Sequence, residues 1–419
     1  MEERYEKLTL PNGVRILYEK IPYVRSVSAG IWVCTGSRFE NAVENGISHF
    51  IEHMVFKGTE TRSASELAML IDGAGGQTDA FTSKESTCFY GKALDTHLDE
   101  LLDVLCDMFF NSTFRDADVE SERGVILEEI DMYEDAPEDL CSERLFAGIY
   151  KGNALARPIL GKPATLFAMN GETMKEYMAE HYLGGSIVIA LSGSFEQRHI
   201  DYIAERFAKA RPGEERTPKA PKYVPTVTAK RKRIEQNHLC LAFPACSFAD
   251  PNRYSVQLLN NLFGGGMSSR LFQTLREKLG LCYSVYSFTS AHCDAGILGL
   301  GTALGEETEE EAITAMIDEI KKLLDGGVTA DEVRRAREQV KSGVLMSLES
   351  TSARMNRLAR GELFLGEIVS AEELIERYNA VTEDDILATA RSIFRPELAS
   401  LSAVGRVRST DEYRRLIQF

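Results

Sequence analysis

The chain has 419 residues, of which 44% are hydrophobic and 27% charged, and this is typical of a globular protein of two or three domains. Its formal net charge of -16 argues against nucleic acid and against an anionic membrane surface as partners. The charge suits basic or unfolded peptides as substrates, although it serves solubility equally well.

The first half of the chain alternates between strand-like and helical patterns. Residues 6–36 read as paired strands with a turn at Asn12 and Gly13, followed by a helix that contains His49. A helix over residues 63–73, a hairpin over 77–94 and helices over 97–110 and 116–134 come next, and residues 187–191 form a further strand.

The second half repeats this order after a proline-rich linker at 212–230. It reads as a strand at 240–243, helices at 254–262 and 268–278, a hairpin at 282–303, helices at 308–324 and 330–347, and a strand at 398–404. Thr308 and Glu311 have the spacing of a capping box.

The two halves therefore read as copies of one α+β unit, each a mostly antiparallel sheet packed by helices. We predict an N-terminal domain over 1–211 and a homologous C-terminal domain over 231–419. His49 and His53 fall near Leu258 and Leu262 in the repeat, so only the first copy carries metal-ligand chemistry.

The N-terminus is charged and lacks the apolar region of a signal peptide, and no run of about 18 apolar residues occurs, so we expect a cytoplasmic protein without a membrane span. The eight cysteines form no C-x-x-C pair and mostly lie in apolar runs. This pattern predicts buried, reduced thiols rather than disulfides or a thiolate zinc site.

The segment HFIEH at residues 49–53 is the strongest chemical signal in the chain. On a helix, His49 and His53 stand one turn apart with Glu52 beside them. Two such imidazoles can hold zinc, and the carboxylate can take a proton from water. The competing interpretation is a chance match on an ordinary helix, so a third ligand is needed.

The helix predicted at 116–134 supplies candidates for that ligand. At about 100° per residue, a buried stripe forms from Val119, Ile126, Ile130 and Tyr133. Glu122 and Glu129 lie together on its flank, whereas Glu120 and Glu128 are expected to be solvated. A His2Glu zinc site would take Glu129 as its ligand, with Glu122 supporting a histidine.

These motifs resemble the inverzincin metallopeptidases of the pitrilysin family, and especially the two-domain branch that includes the mitochondrial processing peptidase β subunit and its bacterial relatives. In that family H-x-x-E-H is followed by E-R-x-V-I-x-x-E, which residues 122–129 match. The resemblance covers essentially the whole chain. It implies one zinc ion per chain, bound by His49, His53 and Glu129, with Glu52 as the general base and Glu122 as a supporting acid.

The resemblance also implies a substrate-binding strand. Relatives carry a strand written roughly N-A-x-T, and this chain has Asp79, Ala80, Phe81 and Thr82 there. Such a strand binds extended peptides through main-chain hydrogen bonds. Asp79 departs from the usual asparagine, and we hypothesise that its extra negative charge favours basic substrate residues.

In the second half, Arg276 and Tyr283 resemble the family's arginine and tyrosine that reach the substrate from the opposite wall. They could hydrogen-bond substrate carbonyls and the developing oxyanion. Without the resemblance, the local pattern predicts a surface position for Arg276 and a core position for Tyr283. The glycine triplet at 264–266 lacks the G-K-[ST] of a nucleotide loop, and we interpret it as a helix boundary.

The sequence thus predicts a zinc endopeptidase that cleaves unfolded peptides or presequence-like segments inside a closed chamber. The relatives suggest a homodimer in which Arg276 and Tyr283 act in trans. The main alternative is a catalytically silent structural or partner subunit of a related peptidase complex. A zinc hydrolase acting on small non-peptide amides has no sequence feature in its favour.

Overall fold

The structure is a computed structural model that describes residues 5–418. Within this range the chain forms two compact units, each built from three separate segments. The first unit contains the chain up to 130 together with 157–219 and 346–369, and the second contains 131–156, 220–345 and 370 onward. The domain boundaries predicted at 211 and 231 describe the sequence repeat and remain a prediction. The two compact units do not test them, because each unit includes a segment from the other half of the chain.

Among the described residues, the first unit holds a six-stranded sheet in the order β1-β2-β6-β3-β5-β4. Only the β2–β6 pair within that sheet is parallel. The strands are β1 (Tyr5–Thr9), β2 (Arg15–Lys20), β3 (Ser26–Val33), β4 (Gln77–Thr82), β5 (Thr87–Leu94) and β6 (Ile187–Gly193).

The second unit, over its described residues, holds a five-stranded sheet in the order β7-β11-β8-β10-β9. Its β7–β11 pair is parallel and its other pairs are antiparallel. The strands are β7 (Val227–Arg231), β8 (Asn237–Ala245), β9 (Cys282–Ala291), β10 (Gly296–Leu304) and β11 (Ser400–Gly405).

Helices cover these sheets, so the α+β prediction is confirmed. None of the helices within 5–418 has the length and apolar character needed to cross a bilayer. The helices are α1 (Ile47–Met54), α2 (Ala64–Gly73), α3 (Leu98–Asn111), α4 (Asp116–Asp135), α5 (Pro137–Ile149), α6 (Pro163–Leu166), α7 (Gly171–His181), α8 (Gln197–Phe207), α9 (Arg253–Gly264), α10 (Glu309–Gly326), α11 (Ala330–Ser347), α12 (Thr351–Arg360), α13 (Ala371–Ala380), α14 (Glu383–Ile393) and α15 (Thr410–Leu416).

Each sheet is covered on one face by a helix that comes from the other half of the sequence. In the first unit, α12 packs on β2, β3 and β6, where Met355 and Leu358 join a buried cluster with Trp32. In the second unit, α5 packs on β8 and β11, where Leu145 joins a buried cluster with Ala242. These two helices explain why neither unit is a continuous stretch of chain.

Four local predictions were wrong. Thr308 does not cap α10 with its side chain, because it ends a 3₁₀ turn in helical conformation and its hydroxyl donates to the Leu281 and Gly305 carbonyls. Tyr133 is 38% exposed, because the buried stripe of α4 fades after Ile126. The predicted 268–278 helix is mainly a π-helical segment at Phe272–Lys278. Cys293 is exposed rather than buried, although no disulfide joins the cysteines of the described residues.

Two further expectations concern the N-terminus and the linker. The location prediction rests partly on residues 1–4, which lie outside the described residues. The predicted linker at 212–230 has no helix or strand up to Thr226, but its last four residues were predicted wrongly, because they belong to β7, which begins at Val227.

Candidate metal centre

Helix α1, which carries the HFIEH segment, is held at its N-terminus by a buried acid from the preceding loop. Gly46 precedes the helix with a φ of 102° and offers no side-chain cap. The Glu40 carboxylate instead accepts hydrogen bonds from the Gly46 and Ser48 amides at 2.8 and 3.0 Å. A carboxylate favours the positive end of a helix and satisfies its free amides. Burial nevertheless raises the pKa of Glu40, and the bonds from Asn45, Ser48 and Gly46 oppose that rise.

The structure brings the three predicted ligands together. His49 Nε2 lies 3.5 Å from Glu129 Oε2, and His53 Nε2 lies 3.6 Å from the same oxygen. Ligand atoms of His49, His53 and Glu129 all lie within 4.8 Å of one another. Glu129, on the flank of the buried stripe of α4, therefore does meet the two histidines, while Glu120 and Glu128 are exposed as expected.

The spacing of these atoms fits a zinc ion. Zn–N and Zn–O bonds of about 2.1 Å in tetrahedral geometry separate two ligand atoms by about 3.4 Å. The observed separations of 3.5 and 3.6 Å are close to this value and longer than a normal hydrogen bond. Glu129 Oε2 is also buried without a hydrogen-bond partner among the described residues. A buried acceptor without a donor is the feature that a cation would satisfy.

The electrostatics of the metal-free site favour the metal-binding form of His49 and Glu129 but oppose that form of His53. Burial and the charge of His53 lower the pKa of His49 to about 4, which keeps its imidazole neutral. The contact with His53 lowers the pKa of Glu129 despite partial burial, which keeps the carboxylate ionised. Burial lowers the pKa of His53, but Glu129 and Glu122 raise it by a larger amount. Neutral imidazole and ionised carboxylate are the forms that coordinate metals.

Glu122 lies behind His53, where the sequence placed a supporting acid. Its carboxylate is 5% exposed, and Oε1 lies 3.1 Å from His53 Nδ1. A carboxylate at this position fixes the ring and makes Nδ1 the protonated nitrogen, which leaves Nε2 free to bind metal. The structure therefore places Glu122 beside a ligand rather than in the ligand set.

Glu52 lies beside the ligands on the same helix, next to the edge strand β4. Burial raises the pKa of its carboxyl group, and the Thr82 hydroxyl opposes that rise. Glu52 Oε2 is buried and has no hydrogen-bond partner within the described residues. The carboxylate is therefore close to the ligands and free to interact with a small molecule.

The predicted substrate strand is β4, which forms one edge of the sheet. Phe81 and Asp79 are exposed, whereas Ala80 and Thr82 are half-buried. Asp79 Oδ2 accepts a hydrogen bond from the Tyr90 hydroxyl at 3.3 Å. Helix α1 packs on β4, which places this edge beside Glu52.

In the second unit, Arg276 lies between two aromatic rings. Its guanidinium carbon is 4.7 Å from the centroid of Phe272 and 4.8 Å from that of Tyr283. Tyr283 is 78% exposed, so the core position predicted from the local pattern is wrong. The stacked cation is held in place by cation–π attraction. Among the described residues, no carboxylate lies within ion-pair distance of Arg276.

Sequence reasoning missed two residues that support α1. Glu40 had no local signal, because it lies in a loop and acts on a helix that begins several residues later. Tyr177 places its hydroxyl 3.2 Å from Ser48 Oγ, next to a ligand, and could be found only from the fold. In the second unit, Leu258 and Leu262, which the repeat pairs with the histidines, are buried core residues.

The fold and site together define a class: a protein of two α+β units whose first unit brings together two histidines and a glutamate that could hold a metal ion. The family described as "Insulinase (Peptidase family M16)" matches residues 15–163, and "Peptidase M16 inactive domain" matches 168–340. The chain belongs to peptidase family M16, the pitrilysin family, and the predicted resemblance is confirmed.

Relatives and solved structures agree with this assignment. The uncharacterized zinc protease YmxG of Bacillus subtilis is 40% identical over 407 residues, which cover 96% of this chain and all of the relative. A Pseudomonas fluorescens structure described as a peptidase M16 inactive domain has a TM-score of 0.89 at 19% identity, covering 97% of this chain and 99% of its own. A chain of complex III2 from Candida albicans has a TM-score of 0.86 at 19% identity, covering 99% and 100%. The two structures show the fold alone.

Proposed function

We propose that the protein is a zinc endopeptidase. The observation that carries this proposal is Glu129 Oε2, which is buried without a donor and lies at zinc-ligand spacing from two imidazoles. Family membership and the naming of relatives as zinc proteases support a peptidase, with zinc as the metal.

The residues around the centre have distinct roles in this proposal. Zinc held by His49, His53 and Glu129 would supply Lewis acidity toward water and the scissile carbonyl. Glu52 would take a proton from the attacking water and return it to the leaving amine as the C–N bond breaks. Glu122 would keep the ring of His53 oriented.

The substrate would bind as an added strand on β4. Edge strands carry main-chain donors and acceptors that pair with any extended peptide, so unfolded segments are the expected substrates. Asp79 adds an exposed carboxylate to this edge, which favours Arg- and Lys-containing peptides.

A quenched peptide library tests the reaction and the preference together. We expect cleavage by the purified chain, loss of cleavage with a chelator, and recovery when zinc is added back. Glu129→Gln should bind zinc more weakly because the ligand charge is lost. Asp79→Asn should reduce the preference for basic peptides without abolishing cleavage. Cleavage that is insensitive to chelators would contradict the proposal, and an unchanged preference would remove the role of Asp79.

We further propose a homodimer in which Arg276 and Tyr283 of one chain act on substrate at the metal centre of its partner. The support is the half-buried guanidinium of Arg276, stacked on two rings and without an ion-pair partner among the described residues, together with the family resemblance. Mixing Glu52→Gln chains with Arg276→Ala chains should restore activity in the hybrid, because one of its two sites would be complete. Hybrids that form without any recovery would argue against action in trans.

A catalytically silent subunit is the second candidate. The match of 168–340 to a domain described as inactive and the likeness to a complex III chain favour it. The complete ligand set in the first unit favours the peptidase. Zinc bound at one ion per chain without cleavage of any library peptide would support the silent subunit.

A further inference from the structure

A lysine continues the line of metal-site residues along α1. His49, His53 and Lys57 are spaced four residues apart, and the 3₁₀ turn Val55–Lys57 follows the helix directly. Residues at this spacing share a helix face. On α4, Glu129 faces the two histidines and Glu122 faces His53 and Lys57. Lys57 therefore follows the two predicted ligands in a row of three residues on one face of α1 and its 3₁₀ extension.

The backbone around Lys57 is fixed from both sides. Gly58 has a φ of 116°, a conformation that side chains other than glycine rarely adopt. Its carbonyl accepts a hydrogen bond from the Thr113 amide at 3.2 Å, and the Lys57 carbonyl accepts one from Arg115 Nη2 at 3.3 Å. The turn thus holds the lysine side chain beside α4.

The Lys57 ammonium contacts Glu122 Oε2, while Oε1 of the same carboxylate contacts His53 Nδ1. Within the described part of the chain, Lys57 is the only lysine or arginine that pairs with any of Glu52, Glu122 and Glu129. Glu122 is buried, and a buried carboxylate needs partners for both oxygens. Lys57 satisfies the oxygen that His53 does not use.

We propose that Lys57 is a positioning residue of the metal centre, acting through Glu122. By holding Oε2, it keeps Oε1 aimed at His53 Nδ1–H. The imidazole is then locked in the tautomer whose Nε2 lone pair faces Glu129 and the metal. The inference rests on the proposed function, since it concerns the zinc affinity of that site.

Zinc affinity measured by chelator competition tests the inference in the full-length chain. We expect Lys57→Met to raise the zinc Kd about 10-fold, at the lower end of the effect of losing an outer partner. Lys57→Arg should restore most of the affinity because it keeps the charge and the donors. Lys20→Met removes an exposed lysine on β2 and serves as the charge control.

A double-mutant cycle separates action through Glu122 from a general effect of charge. If the lysine acts through Glu122, adding Lys57→Met to Glu122→Gln should leave the Kd of the single Glu122→Gln variant unchanged. An unchanged Kd in Lys57→Met, or an equally large effect in the Glu122→Gln background, would overturn the inference.

A metal-free measurement keeps the inference testable on its own. Imidazole nitrogen-15 spectra of the metal-free chain, recorded at a pH where the His53 ring is neutral, should show His53 protonated at Nδ1, and Lys57→Met should convert it to a mixture of tautomers. Identical spectra would overturn the role of Lys57 even if the chain binds zinc and cleaves peptides. Failure of the wild-type chain to bind zinc would instead overturn the proposed function, and the spectra would still decide the tautomer.

Discussion

Replacing Glu52 with glutamine is expected to slow peptide cleavage by about two to four orders of magnitude while leaving zinc bound. The substitution keeps the shape of the side chain but removes the base, and proton transfer by a positioned side chain contributes about 10²- to 10⁴-fold to rate. We expect kcat/KM to fall by this factor, measured with a quenched peptide, and zinc content to stay at one ion per chain.

Glu128→Gln is the matched control, because Glu128 is exposed on α4 next to the ligand Glu129. It removes the same charge within the same helix and should leave kcat/KM within about twofold, since exposed charges are screened by solvent. A Glu52→Gln chain that cleaves at the wild-type rate would exclude Glu52 as the base.

Replacing Arg354 with alanine is expected to destabilise the first unit by about 3–5 kcal/mol. Arg354 on α12 forms an ion pair with Glu19 on β2, and the two residues are 5% and 3% exposed. Removal of the arginine takes away the cation that pairs with this buried carboxylate. The midpoint of urea unfolding should therefore fall when it is followed by the fluorescence of Trp32, the one tryptophan of the chain.

Trp32 is a suitable reporter because it lies in the cluster that α12 covers. The double variant Glu19→Gln and Arg354→Met should lose less stability than Arg354→Ala, because it leaves no unpaired charge. Arg198→Ala, which breaks the exposed Arg198–Asp99 pair, should cost less than about 1 kcal/mol. Equal losses in Arg354→Ala and Arg198→Ala would show that burial does not strengthen the α12 pair.

Prediction from the sequence worked best where the signal is local. The hairpin predicted at 77–94 is β4 and β5, and the helix predicted at 330–347 is α11. Periodicity specifies such elements because neighbouring side chains alternate or repeat on one face. The prediction failed at Tyr283, since an aromatic residue in a strand is apolar by pattern but exposed on the edge strand β9.

Local periodicity could not predict which segments of the chain belong to which compact unit. Helices α5 and α12 each cover a sheet formed by strands from the other half of the chain. The sequences of these two helices do not indicate which sheet each will cover. Their apolar faces would fit many sheets. Which sheet a helix covers is decided by the fit between its surface and that of strands far away in the sequence.

The sequence by itself determined the chemistry of the centre: two histidines one turn apart, an adjacent acid, and two glutamates two turns apart on one helix. These are spacings along single helices, which helical geometry converts directly into shared faces. Only the tertiary structure decided that α1 and α4 meet, that Glu40 caps α1, and that Lys57 reaches Glu122. Such contacts join residues distant in the chain, so they depend on how the helices pack and not on the order of residues within either helix.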